Sequence, residues 1–185
     1  SRVRIFSFYP PDSESGTDHD RHLDAALEHL ERLAELARKH DVVLLIENEK
    51  KLVGDTIERC SALLRQLANE HLRFLWDPAN FVQVGDVRPT ERGWPMLGEY
   101  VSYVHVKDAH LADGAVCAAG EGDGQIDILL ALLREAGYRG FLSLEPHLVV
   151  AGHSGGFTGA PEMKRAAEAL RRVMNAARIA EVQQL

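Results

Sequence analysis

Four short apolar runs in this chain each close on a side chain of metal-ligand type, and that recurrence constrains the fold more than any bulk property. Val42 to Asn48 (V-V-L-L-I-E-N) closes on Glu47, and His71 to Asn80 (H-L-R-F-L-W-D-P-A-N) on Asp77. Tyr100 to Asp108 (Y-V-S-Y-V-H-V-K-D) carries His105 near its end, and Gly140 to His147 (G-F-L-S-L-E-P-H) carries Glu145. Each run has the length of a buried strand. In the third, period-two alternation puts Tyr103, His105 and Lys107 on one face and Val104 and Val106 on the other. Glu47, Asp77, His105 and Glu145 are separated by 30, 28 and 40 residues, room for one strand, one crossover helix and two loops.

The intervening segments carry helical patterns. Leu23, Ala26, Leu27, Leu30, Leu33, Ala34, Leu36 and Ala37 form an apolar stripe at helical spacing, with Asp18 or Asp20 as its N-cap and an end near His40. Asp55 is expected to open a second helix that buries Ile57, Cys60, Leu63, Leu64 and Leu67. Pro78 is expected to turn the chain into a loop from Ala79 to Gly93, leaving a short helix at most over Trp94 to Glu99. A glycine-rich loop spans Ala109 to Gly124. Asp127 to Ala136 reads as a helix closed by Gly137, and Pro161 begins a last helix running to about Ala180.

With a first strand at Val3 to Phe8, the order is strand then helix, five times over. Such alternation specifies a parallel sheet with right-handed crossovers. Four strand ends converging on one point suit a barrel mouth better than a flat sheet, and barrel enzymes carry their sites at that carboxyl-terminal face. The expected fold class is therefore α/β, a (β/α) TIM-barrel type. Only five of its eight βα units are present, so residues 1–185 read as a single barrel domain lacking its first three units. The strands at Val3 and Gly140 would then be open edges, covered by more polypeptide or by a homo-oligomer.

Charge narrows the partners. The net charge is −7, from 21 Lys and Arg against 28 Asp and Glu, and no basic block interrupts it. A nucleic-acid footprint needs clustered cations, so none is expected. No apolar run approaches about 18 residues, so no membrane span is expected. Cys60 and Cys117 lack metal-type spacing and fit a reducing compartment, and with no signal pattern at the amino end the expected location is cytoplasmic.

Three carboxylates and one imidazole make an oxygen-rich ligand set that favours Mn2+, Mg2+ or Co2+. Lys107 shares the face of His105 and is placed to orient a substrate oxygen. Asn80 either touches substrate or stabilises the turn after Pro78. His110, His147 and His153 read as rim residues, with His147 the best placed to meet substrate. Asp108 suits loop capping better than ligation. The glycine-rich stretch Gly152 to Gly159 precedes a helix start and suits a lid or an anion site. His19, His22, His29, His40 and His71 belong to no constellation.

The motifs I-E-N (Ile46 to Asn48), W-D-P-A-N (Trp76 to Asn80), V-H-V-K-D (Val104 to Asp108), G-E-G-D-G-Q-I-D (Gly120 to Asp127) and G-Y-R-G-F-L-S-L-E-P-H (Gly137 to His147) follow one another in order. In that order and spacing the chain resembles the xylose isomerase-like barrel superfamily, in particular its sugar phosphate isomerase/epimerase group. The resemblance implies that Glu47, Asp77, His105 and Glu145 bind one divalent metal and that Glu47 and Glu145 are the acid/base pair. It implies a small carbohydrate substrate, with a sugar or sugar phosphate isomerised or epimerised by proton transfer through a metal-stabilised enediolate. Two alternatives share these residues: an inosose dehydratase-like lyase acting on a cyclic polyol ketone, and an inactive barrel fragment serving as an interaction module. Asn80 and Glu49 stand where several relatives carry His, and Leu111 where ketose epimerases carry Arg, so the particular substrate is left open.

Overall fold

The computed structural model describes residues 1–11, 19–150 and 156–179. In chain order the strands and helices begin with β1 (Arg2–Phe6), α1 (Leu23–Lys39), β2 (Val43–Glu47), α2 (Ile57–Leu67), β3 (Leu72–Trp76), α3 (Pro78–Gln83) and α4 (Pro89–Leu97). There follow β4 (Val101–Val106), a two-residue pair β5 (Asp108–Ala109) and β6 (Val116–Cys117), then α5 (Ile126–Glu135) and β7 (Leu142–Leu144). A second small pair, β8 (Val149–Val150) and β9 (Gly156–Phe157), precedes α6 (Ala160–Ala176).

The main sheet runs β1-β2-β3-β4-β7, every neighbouring pair parallel. It curves into a half-barrel with the helices outside, a partial TIM barrel of α/β type. Period two decides which residues face which side. Leu44, Ile46, Phe74, Trp76, Val104 and Val106 point outward into one core with Leu30, Ile57, Leu64, Leu129 and Leu133 of the helices. Each such side chain removed from water contributes about 1.5–3 kcal/mol. Trp76 is fully buried and meets Phe81 edge-on, with ring centroids 5.4 Å apart. The opposite phase, Leu45, Glu47, Leu75, Asp77, Tyr103, His105 and Lys107, lines the concave face.

The two edge strands are β1 and β7, and Val3 and Phe141 beside them are 47% and 46% exposed. Arg2 lies over the Phe141 ring, 5.7 Å from its centroid, so side chains from both edges meet across the concavity. Among the described residues no helix is long and apolar enough to cross a membrane.

Several expectations need correction. The stretch after Pro78 is not a loop: α3 begins at Pro78, where a proline at the first turn has no N–H to lose, and α4 begins at Pro89. Thr56, one residue after Asp55, caps α2 by accepting the Arg59 N–H at 3.3 Å, because Asp55 is engaged by the Arg59 guanidinium. Asp20 lies within a 3-10 turn (His19–His22) that leads into α1, while Asp18 falls outside the described residues. The 109–124 loop contains the β5–β6 pair. Gly137 closes α5 as expected, with φ +69°: its N–H donates to Arg134 O, and the Tyr138 N–H to Leu133 O. The last helix ends at Ala176; Ala180 and the first half of the Gly152–Gly159 stretch, with His153, lie outside the described residues.

Candidate metal centre

Every residue of the centre sits at the carboxyl end of a strand. Glu47 is the last residue of β2, Asp77 follows β3, His105 is next to last in β4 and Glu145 follows β7. Asp77 also caps α3: its Oδ1 accepts the Asn80 N–H at 3.0 Å. Asn48 locks two strand ends together, its Nδ2 donating to Asp77 O and its Oδ1 accepting the Asp77 N–H, both at 2.8 Å.

The structure brings the four ligand-type side chains together, with one ligand atom from each lying within 4.8 Å of the others. His105 Nδ1 is 2.8 Å from Glu47 Oε1 and 3.2 Å from Glu145 Oε2. Lys107 Nζ is 2.8 Å from Asp77 Oδ2 and 3.3 Å from Glu145 Oε2. Glu47, Asp77 and His105 are buried, and Glu145 is a quarter exposed.

Burial and charge pull these groups in opposite directions. Burial pushes the Asp77 carboxyl up to about 6, although the Lys107 charge resists. Burial would lower His105, but hydrogen bonds to Glu145 and Glu47 prevail and raise it to about 9. The same bond and the Lys107 ammonium hold Glu145 well below the usual carboxylate range despite its burial. Lys107 is likewise held above its ordinary value by Asp77 and Glu145, against the opposing effect of burial. An imidazolium at the centre therefore joins the Lys107 ammonium in opposing the three carboxylates.

Of the other expected site residues, Lys107 lies inside the cluster. Asn80 is fully buried: its Nδ2 donates to Asn48 O at 2.8 Å, which serves the turn, while its Oδ1 has no hydrogen-bond partner among the described residues. His147 stands at the rim with φ +41°, its Nε2 3.9 Å from Glu145 Oε1. Asp108 holds the glycine-rich loop instead of facing the cluster, accepting N–H groups from Ala109, Gly120, Gly122 and Gly124 at 2.9–3.1 Å. Those glycines are required by close approach, since a Cβ on Gly122 would lie 2.5 Å from Ala109 O.

Sequence reasoning missed Arg4 and Asn48. Arg4 Nη1 is 3.2 Å from Glu47 Oε2 and 3.4 Å from Glu145 Oε1. It also misplaced His19, which is buried with Nδ1 2.8 Å from Leu52 O and 3.2 Å from Asp55 Oδ2. The signal for Arg4 was partial: with Arg2 it is one of two arginines on the inward phase of β1, and it is the one nearer the strand's carboxyl end.

A divalent cation suits this donor set. Among the described residues Glu47 Oε2 and Asp77 Oδ2 are buried acceptors without an aligned hydrogen bond, their contacts to Arg4 and Lys107 being ion pairs. Three carboxylates and an imidazole could hold a hard or borderline ion through those oxygens.

Residues 2–176 match the family described as xylose isomerase-like TIM barrel. The chain belongs to that family. Solved structures of similar fold include a D-tagatose 3-epimerase-like protein, 18% identical with a TM-score of 0.72, the match covering 96% of this chain and 63% of that one. A second is the IOLI protein, solved with a bound zinc atom, at 14% identity and TM-score 0.71, covering 95% and 63%. A third is the probable 3-DHS dehydratase AsbF of Bacillus anthracis, at 16% identity and TM-score 0.63, covering 92% and 63%. This xylose isomerase-like chain thus spans less than two thirds of the length of each. At these identities the likeness is one of fold. No curated protein matches the chain in sequence.

Proposed function

We propose that this chain carries the catalytic centre of a divalent-metal-dependent isomerase or epimerase acting on a sugar or sugar phosphate, with Glu47, Asp77, His105 and Glu145 as the metal ligands. In this reading the chain supplies five of the eight βα units of a barrel. The observation that carries the proposal is the meeting of two carboxylates from β2 and β7 on one imidazole, 2.8 and 3.2 Å away. A bound divalent ion supplies positive charge beside the substrate carbonyl, where negative charge develops.

The chain's own residues do the rest. Glu47 and Glu145 approach from strands at different sides of the concavity, so one can take the proton from the carbon beside the carbonyl and the other can return it. Return to the neighbouring carbon isomerises, and return to the opposite face epimerises. Acid/base transfer of this kind contributes roughly 10²- to 10⁴-fold in rate. Lys107, buried and holding its proton, presents a fixed ammonium to the substrate oxygens. His147 at the rim is placed to meet the far end of the sugar.

Calorimetric titration of Mn2+ and Co2+ tests the proposal. One site in the wild type, lost in both Glu145→Gln and His105→Ala, is the expected result; a folded wild type that takes up neither ion sinks it. The fold likeness to a probable dehydratase supports a second reading, in which the same proton abstraction leads to loss of water from a cyclic polyol ketone. Analysis of the product, isomer or dehydrated ketone, separates the two.

A further inference from the structure

The two carboxylates assigned to proton transfer share a cation that the metal reading leaves without a task. Arg4 touches Glu47 and Glu145 through a single nitrogen, Nη1. Its guanidinium carbon lies 5.1 Å from the centroid of the Phe6 ring, and Phe6 is the β1 residue in register with Glu47 of β2. An aromatic face therefore supports the guanidinium near the height of the ligand cluster. Among the described residues Nε and Nη2 have no hydrogen-bond or ion-pair partner, and the side chain is 45% exposed. Those two nitrogens carry the remaining N–H groups of a rigid planar fork.

Charge says what that fork is for. Three carboxylates, Glu47, Asp77 and Glu145, face two fixed cations, Arg4 and Lys107. Glu49 also acts on Lys107 but is paired with Lys50 at 3.4 Å, so among the described residues a divalent ion held by a neutral His105 leaves one positive charge in excess. A neutral polyol does not cancel that excess, whereas a carboxylate or phosphate does, and either matches a guanidinium with two parallel hydrogen bonds.

We propose that Arg4 receives an anionic group of the substrate, so that the substrate class of this centre is an acidic polyhydroxy compound, a sugar acid or a sugar phosphate. The inference rests on the metal-centre reading above and narrows it. Arg4 is then a substrate-binding and specificity residue whose Nη1 keeps the two proton-transfer carboxylates beside the bound group.

The test uses inorganic phosphate and glycolate as probes, titrated by calorimetry into wild type, Arg4→Gln and Arg4→Lys, each with saturating Mn2+ and again with chelator. Thermal melts confirm that the variants fold. Expected is binding of at least one anion to the wild type, weakened about tenfold or more in Arg4→Gln, and weakened less in Arg4→Lys, which keeps the charge but not the fork. Phosphate alone indicates a sugar phosphate, and glycolate alone a sugar acid. Equal anion affinity in wild type and Arg4→Gln overturns the inference, as does a wild type that binds neither anion; Arg4 then serves only to neutralise the carboxylates. Mn2+ uptake measured in the same samples keeps the two readings apart. Mn2+ binding with no Arg4-dependent anion site overturns this inference alone, and an Arg4-dependent anion site without Mn2+ uptake overturns the metal reading alone.

Discussion

Raising the pH of the metal-free chain should unlock the centre through His105. Its imidazolium is held by Glu47 and Glu145, which lift its pKa from the ordinary 6.5 to about 9. A raised folded-state pKa contributes stability that is complete below the unfolded value and is lost as pH rises through the folded one. Here the full contribution is about 3 kcal/mol, and the depressed Glu145 carboxyl is the same interaction seen from its other partner, so it is counted once. Between about pH 7 and about pH 9.5 the wild type should lose about 2.5 kcal/mol from this source. Few other perturbed groups interfere in that window. Asp77, at about 6, is already mostly ionised. His147 is lowered by burial and is already neutral, while burial holds Cys117 up at about 12 and Cys60 well above its usual value. Urea unfolding in chelator, at both pH values, on wild type and His105→Gln, isolates the effect as the difference between their pH slopes. A variant that loses as much stability as the wild type over this range refutes the reasoning. Mn2+ reverses the trend, because binding requires the neutral imidazole and so strengthens as pH rises.

Three further outcomes follow from single contacts. Lys107→Met strips Asp77 of the cation 2.8 Å from its Oδ2 and should cost about 3–5 kcal/mol by chemical denaturation at neutral pH, shrinking on acidification as Asp77 takes up a proton; a loss below about 1 kcal/mol contradicts the pairing. Asp108→Asn turns an acceptor of four backbone N–H groups into a half-donor, with a loss of about 2–3 kcal/mol and faster hydrogen exchange at Gly120, Gly122 and Gly124. Gly137→Ala meets no atom within 4 Å but must hold φ +69°, so thermal melts should register a purely backbone cost of about 1–2 kcal/mol.

What was legible in the sequence was whatever a short period encodes. Alternation in β4 assigned His105 and Lys107 to one face and Val104 and Val106 to the other, and the helix-facing valines are buried in the core as that phase requires. Repetition of the strand-and-ligand unit gave the parallel order, because a crossover helix between neighbouring strands leaves few other arrangements. What escaped was set by partners far along the chain. His19 is buried by Leu52 and Asp55, more than thirty residues away, and its own neighbours in sequence carry no trace of that contact. Asp55, expected to open α2, stands two residues ahead of it for the same reason, since Arg59 and His19 claim its carboxylate and Thr56 supplies the cap. Pro78 was read as a breaker although a proline that ends a ladder also fits the first turn of a helix, and the aspartate before it supplies the cap.

Arg4 marks the boundary between the two kinds of information. Its phase is local: on β1, two residues before Phe6, it falls on the concave side by the same alternation that singled out Lys107. Its role is not local, because the two carboxylates it meets come from β2 and from the opposite edge of the sheet, 43 and 141 residues away. β1 carries two arginines on its inward phase, Arg2 and Arg4, and both are exposed at the sheet edge. Phase alone does not single out Arg4, because Arg2 and Arg73 share that phase and go to the Phe141 ring and to Glu99 O; Arg4 joins the centre because it lies nearer the carboxyl end of its strand, within reach of Glu47 and Glu145.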